Sequence, residues 1–235
     1  FNGEIYNFKE IKEKYKNKFS EFKTRGDTEV LLKLFHHYEK KTFDFLNGMF
    51  AFACFKNKKL FLAVDHFGEK PIYYAKLREG IYFSSEAKPL IELLNLSPTK
   101  NKKLKMEFML FGHINSPNTI YQDLYKLEPA HYIECIKKEK NVILNKKKYW
   151  KVKSRSFDSG TIKPIGKTEI QDIKDILLNS IKSRMISDVP LGLFMSSGID
   201  SILIASLVKK ELNQNIDTYT AKFDSSKAHD ESPYA

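Results

Sequence analysis

The stretch Ser196-Ser197-Gly198-Ile199-Asp200-Ser201 holds the residue types that bear most directly on chemistry. Residues 191–195 ahead of it read as a short apolar strand, and Ile202, Leu203, Ala205, Leu207 and Val208 behind it read as a helix. A loop between a buried strand and a helix start presents unpaired backbone amides and the positive end of the helix dipole, which together attract anions. Gly198 would let the backbone come close to a phosphate, the hydroxyls of Ser196, Ser197 and Ser201 would add donors, and Asp200 could hold a magnesium ion bridging phosphate oxygens. Neither the lysine-bearing Walker spacing nor the triple-glycine dinucleotide fingerprint is present. A serine-glycine turn before Asp200 also suits an ordinary helix start, so these residues alone leave both readings open.

Other chemistries find little support. Six histidines, His36, His37, His66, His113, His131 and His229, form no i, i+4 pair around a glutamate, so a zinc site is not expected. Cys54 sits in the apolar run 49–55, and Cys135 ends an alternating stretch, so both read as small core residues. Two isolated cysteines give no disulfide framework, which fits a reducing cytoplasm. No apolar run approaches the roughly 20 residues of a membrane-spanning helix, and no membrane association is expected.

The formal charge of +11 raises the question of nucleic acid. Among the 40 basic residues only Arg25, Arg78, Arg155 and Arg184 are arginines, whereas base reading and planar phosphate recognition lean on arginine. The lysine runs at 102–105, 137–140 and 146–148 flank turns or strands and read as solvated surface, so no nucleic-acid partner is expected.

The elements that would position a site divide the 235 residues near the middle. Phe8, Ile11, Tyr15 and Phe19 share one face of a helix over 8–19; a second helix starts at Asp27, read as its cap, and buries Val30, Leu31, Leu34, Phe35 and Tyr38. Alternation predicts hairpins over 49–55 with 60–64, and over 72–76 with 81–84 around a turn at 78–80. A short helix follows over 86–94, then strands over 131–136 and 142–144. Residues 151–167, rich in serine, glycine, lysine and proline, read as a linker between domains at 1–150 and 168–235. Thr168 and Gln171 have capping-box spacing at the head of a helix over 168–185. With a further strand over 218–223, the second part reads strand, helix, strand, the pattern of a parallel sheet.

Several segments resemble one family in the right order. Residues 187–192 running into 196–201 resemble the PP-loop of glutamine-hydrolysing asparagine synthetases, which have glycine where Ser197 stands. Phe1-Asn2-Gly3-Glu4-Ile5-Tyr6-Asn7 resembles the glutamine-binding strand of N-terminal-nucleophile amidotransferases. Residues 24–29, 46–52, 65–74 and 83–88 resemble further family segments, with Val64 at a position usually arginine. The resemblance implies a truncated α+β αββα amidotransferase sandwich, followed by the start of an α/β parallel-sheet PP-loop domain that binds ATP.

It also implies roles. Asn2 and Gly3 would supply the side-chain amide and N–H of an oxyanion hole, and Glu4 and Asp27 would hold the amino-acid end of glutamine. By their types alone, Asn2-Gly3 also reads as a turn and Asp27 as a cap. Ser196, Ser197, Gly198, Ile199, Asp200 and Ser201 would grip the pyrophosphate of ATP, Asp200 would bind Mg2+, and Phe194 and Ala221 would touch the nucleotide. The resembled enzymes convert aspartate, glutamine and ATP to asparagine through an aspartyl-adenylate, and a homodimer is compatible with the likeness. A related enzyme acting on another carboxylate, such as a sugar acid, or a catalytically silent module would fit the same residues. Phe1 carries no nucleophilic side chain and both ends read as cut, so residues 1–235 by themselves are expected neither to hydrolyse glutamine nor to make asparagine.

Overall fold

A computed structural model describes residues 1–19, 21–77, 80–139, 141–153, 165–222 and 230–233. The chain forms two compact units, Phe1–Arg155 and Ser156–Ala235. The first contains β1 (Asn2–Ile5), α1 (Phe8–Tyr15), α2 (Asp27–Tyr38), a 3-10 turn (Glu39–Asp44), β2 (Gly48–Lys56), β3 (Lys59–Val64), β4 (Tyr73–Leu77), β5 (Gly80–Ser84), α3 (Ala87–Leu94), α4 (Lys102–Phe111), β6 (Tyr125–Lys126), β7 (His131–Lys138) and β8 (Asn141–Lys148).

These strands make two antiparallel sheets, one ordered β1-β2-β3-β7-β8 and one ordered β5-β4-β6. Because strand side chains alternate between faces, each sheet can bury both. Phe50 and Phe52 of β2, Phe61 and Ala63 of β3, and Tyr132 of β7 pack with Ile11, Tyr15, Val30, Leu34 and Phe35 of α1 and α2. On the opposite face Ala51, Leu62, Val64, Ile133 and Cys135 meet Ile72, Tyr74 and Leu127, from β4 and the segments flanking the smaller sheet. The far face of that sheet, through Tyr73 and Ala75, packs on Ala87, Leu90 and Ile91 of α3. Helix, sheet, sheet, helix is the αββα layering that the resemblance implied. Fully buried side chains such as Phe50, Leu62 and Ile133 each stabilise it by roughly 1.5–3 kcal/mol of apolar burial.

Local departures from the sequence reading have local causes. α1 ends at Tyr15, four residues short of Phe19; the amides of Lys18 and Phe19 both donate to the Tyr15 carbonyl, and Phe19 stays buried by stacking on Tyr15 at 5.1 Å. Asp27 does not cap α2: it is the first helical residue behind Gly26, and its carboxylate leaves the helix for another element. Cys54 is only half-buried, while Cys135 is buried, as expected. The lysine run at 102–105 opens α4, whose start is capped by Asn101 accepting from the Lys103 amide and whose end is Gly112 at φ 72°. The 3-10 turn and β6 are likewise elements that the alternation did not reveal. Of the turn expected at 78–80, residues 78–79 lie outside the described ones.

The second unit contains α5 (Lys167–Arg184), β9 (Gly192–Phe194), α6 (Ile199–Lys210) and β10 (Asp217–Tyr219). β9 and β10 pair in parallel with α6 between them, in the register Leu193 to Thr218 and Phe194 to Tyr219, so the strand-helix-strand reading holds. The capping box does not form: α5 starts behind Gly166 without a side-chain cap, and Gln171 donates instead to Asp175. Residues 154–164 of the expected linker and Phe223 of the expected last strand lie outside the described residues. Among the described residues, no helix is long and apolar enough to cross a membrane.

Candidate active sites

The first site is built on β1, the edge strand of the larger sheet. Gly3 has φ 139°, and a Cβ there would stand 2.1 Å from the Met49 carbonyl oxygen; a Cβ on Gly48 would stand 2.1 Å from that of Glu4. Glycines at these two positions are what let β1 lie so close against β2. Asn2 and Glu4 share one face of β1, while Ile5, on the other, is buried with the α1–α2 layer. Asn2 therefore reaches the space between the two sheets, where an open cleft of about 310 Å³ is lined in part by Asn2, Ala53, Ile72, Phe83, Ser84 and Ser85. Its Nδ2 donates to Ser85 Oγ at 3.4 Å. Ser84 Oγ in turn accepts from the Glu86 amide, which braces the β5–α3 corner.

Asp27 comes to the same strand from the helical layer: its Oδ2 accepts from the Ile5 amide at 2.9 Å. The loop before it is tied down by Glu29, whose carboxylate accepts from the amides of Lys23 and Thr24 and from the Thr24 hydroxyl, with Lys33 at 3.5 Å. The Lys23 amide first, with those of Thr24 and the nearby lysine charge, holds the Glu29 carboxyl down at about 2, against an ordinary 4.5. Asn2, Gly3, Glu4 and Asp27 thus all meet on β1, though of the four only Asn2 lines the cleft.

A buried carboxylate that the sequence reading passed over holds the neighbouring strand. Asp65, with no exposed surface, accepts from the amides of Phe50, Phe67, Glu69 and Lys70, at 3.0–3.1 Å. Phe50 is the residue paired with Gly3, so Asp65 fastens the β3–β4 turn to the strand against which Gly3 rests. Asp65 and Ser85 lie in the segments 65–74 and 83–88 that resemble the family's, but nothing in either segment singled out the one residue.

The second site is the loop between β9 and α6. Met195 extends β9 by donating its amide to Tyr219 O at 2.8 Å, and Gly198 then caps α6 in an extended conformation, φ −73°, that any residue could adopt. Of the three serine hydroxyls expected to face a ligand, those of Ser196 and Ser201 are used within the loop. Ser201 Oγ accepts from the Ser196 amide at 3.2 Å and lies 3.0 Å from both Ser196 Oγ and the Gly198 carbonyl; Ser196 Oγ accepts from the Gly198 amide at 3.2 Å. The Ser197 amide donates to Glu231 Oε2 at 3.0 Å. Ile199, Asp200 and Ala221 are exposed, and Phe194, although in a strand, is 89% exposed. Asp200 lies in the first turn of α6, and no group of three or more His, Cys, Asp or Glu side chains converges on a metal position among the described residues. That donor set suits only a hard cation that takes most of its ligands from phosphate and water.

Residues 1–150 match the glutamine amidotransferase domain family, and residues 172–235 match the asparagine synthase family. Asparagine synthetase [glutamine-hydrolyzing] 1 of Bacillus subtilis is 34% identical over 229 residues, covering 95% of this chain and 34% of that protein. Putative asparagine synthetase [glutamine-hydrolyzing] 2 of Methanocaldococcus jannaschii is 35% identical over 246 residues, covering 100% of this chain and 44% of that protein. The chain therefore spans less than half the length of these relatives. Among solved structures, the glutamine phosphoribosylpyrophosphate amidotransferase of B. subtilis aligns at a TM-score of 0.43 with 17% identity, over 95% of this chain and 46% of that one.

Proposed function

The chain belongs, through residues 1–150, to the glutamine amidotransferase domain family, and from that premise we propose that the protein is a glutamine-dependent asparagine synthetase. One observation carries the proposal: the amidotransferase match is followed in the same chain by a match to asparagine synthase. Glutamine would bind at β1 with its amide carbonyl toward the Asn2 side-chain amide and the Gly3 N–H, donors aimed at the charge that develops on that oxygen under attack. Asp27, already anchored at the Ile5 amide, and Glu4 would hold the ammonium end of the substrate.

In the second unit ATP would lie with its phosphates over the start of α6 and its base near Phe194 and Ala221. The carboxylate of aspartate would attack the α-phosphorus, releasing pyrophosphate, and ammonia would displace AMP from the resulting mixed anhydride. Asp200 would hold a magnesium ion that offsets the phosphate charge. The hydroxyls of Ser196 and Ser201 accept from the Gly198 and Ser196 amides, so in this reading they shape the loop backbone around the phosphates and do not contact them directly.

The two halves make separable predictions for calorimetric titration of residues 1–235. Asp27→Asn keeps an acceptor for the Ile5 amide and removes the charge, and is expected to weaken glutamine binding about tenfold while leaving MgATP binding unchanged. Asp200→Asn is expected to do the reverse by a similar factor. Should either substitution weaken both ligands equally, or neither, the assignment of two separate substrate sites fails.

A further inference from the structure

Three backbone amides of the β9–α6 loop have partners of two kinds. Those of Ser196 and Gly198 go to neutral hydroxyls inside the loop, on Ser201 and Ser196, whereas that of Ser197 goes to a carboxylate from outside it, Glu231, 34 residues away in sequence. Glu231 is presented by a tight turn in which Asp230 Oδ1 accepts from the Ser232 amide at 3.1 Å. Both Glu231 and Ser197 are exposed, so burial does not force the contact. A helix start attracts anions through its amides and its dipole, and here an anion is in place.

We propose that Glu231 is an internal anion that occupies the loop in the ligand-free protein and has to leave before a polyphosphate seats. The proposal rests on the nucleotide reading of this loop and adds a gate to it. The competition is direct, because the Ser197 N–H has one hydrogen to give. It is also electrostatic, because Glu231 adds a second carboxylate to the loop that leads into the first turn of α6, where Asp200 lies. A tethered carboxylate acts at a high local concentration. It therefore excludes singly bound anions such as orthophosphate, and yields to a magnesium-complexed triphosphate or pyrophosphate that engages several donors at once. Binding would expel the turn at 230–233 from the loop.

The test is titration of MgATP, magnesium pyrophosphate and orthophosphate into wild-type protein, Glu231→Gln and Glu231→Ala, with the Ser197 amide followed by nuclear magnetic resonance. Both variants are expected to bind magnesium pyrophosphate about fivefold more tightly, in the range of an exposed charge contact, with the gain of Glu231→Ala persisting at high salt and that of Glu231→Gln shrinking. Orthophosphate is expected to shift the Ser197 amide in the variants and not in wild type. Equal affinities in all three proteins would overturn the gate and leave the nucleotide reading standing. Weaker binding in Glu231→Ala, restored by Glu231→Asp, would make the residue a ligand holder and equally overturn it. Absence of any MgATP or pyrophosphate binding in all three would remove the nucleotide reading and the gate together.

Discussion

Residues 1–155 and residues 156–235 hold their candidate sites by different means. In the first unit, Asn2 and Asp27 are placed by a four-layer sandwich whose facing side chains, among them Phe35, Phe50, Leu62 and Ile133, are wholly removed from water. In the second, Leu207 and Val208 are the buried apolar residues among those described, and Ile173 and Ile176 of α5 and Ile202 and Leu203 of α6 remain exposed. Parallel strands are stable where both faces are covered, and the β9–β10 pair has little cover of its own among the described residues. The loop at Ser196 consequently keeps its shape through short-range hydrogen bonds, whereas β1 keeps its shape through the packing behind it. A site held by packing is rigid because displacing one residue disturbs many neighbours; a site held by a few exposed hydrogen bonds is easier to rearrange when a ligand arrives.

Core truncation should separate the units most sharply. Leu62→Ala removes a fully buried side chain between the two sheets and is expected to cost about 3 kcal/mol in urea unfolding, against under about 1 kcal/mol for Leu203→Ala, whose side chain is 43% exposed. Equal costs would mean that the second unit has a core as dense as the first.

Buried and exposed hydrogen bonding gives the next contrast. Asp65→Ala leaves the amides of Phe50, Phe67, Glu69 and Lys70 without their acceptor and is expected to destabilise the first unit by about 2–3 kcal/mol. Ser201→Ala, which frees the Ser196 amide to find water, is expected to cost about 1 kcal/mol or less, read from the same unfolding curves.

The smallest effect is the pH response of the loop before Asp27. Glu29 has its folded-state pKa lowered to about 2 from 4.5, so its stabilisation is present above about pH 4.5 and is lost as pH falls toward 2. The melting temperature of wild type should fall more steeply than that of Glu29→Gln across that window, and parallel slopes would show that the loop does not depend on the charge.

Much of this architecture was legible beforehand because period and chemistry coincide. The alternation in 49–64 specifies the β2–β3 hairpin, and the strand-loop-helix composition around Gly198 specifies the β9–α6 turn. α4 was missed because its apolar residues, Leu104, Met106 and Phe108 to Phe111, are spread around the helix instead of along one face, and none of its residues is buried; the signals that do define it are the caps, Asn101 and Gly112. Asp27 was legible as important and misread in its contact, since nothing in 24–29 says that its carboxylate would turn toward Ile5.

What the sequence determined by itself was most of the elements, the apolar faces that layer them, and a set of candidate residues whose types suit an oxyanion and a polyphosphate. Tertiary structure alone decided the contacts across chain distance: Asn2 with Ser85, Asp65 with Phe50, Ser197 with Glu231. The reason is physical. Faces and periods follow from backbone geometry within a few residues, whereas a hydrogen bond across 15 to 83 positions exists only once packing has brought its two ends within about 3 Å.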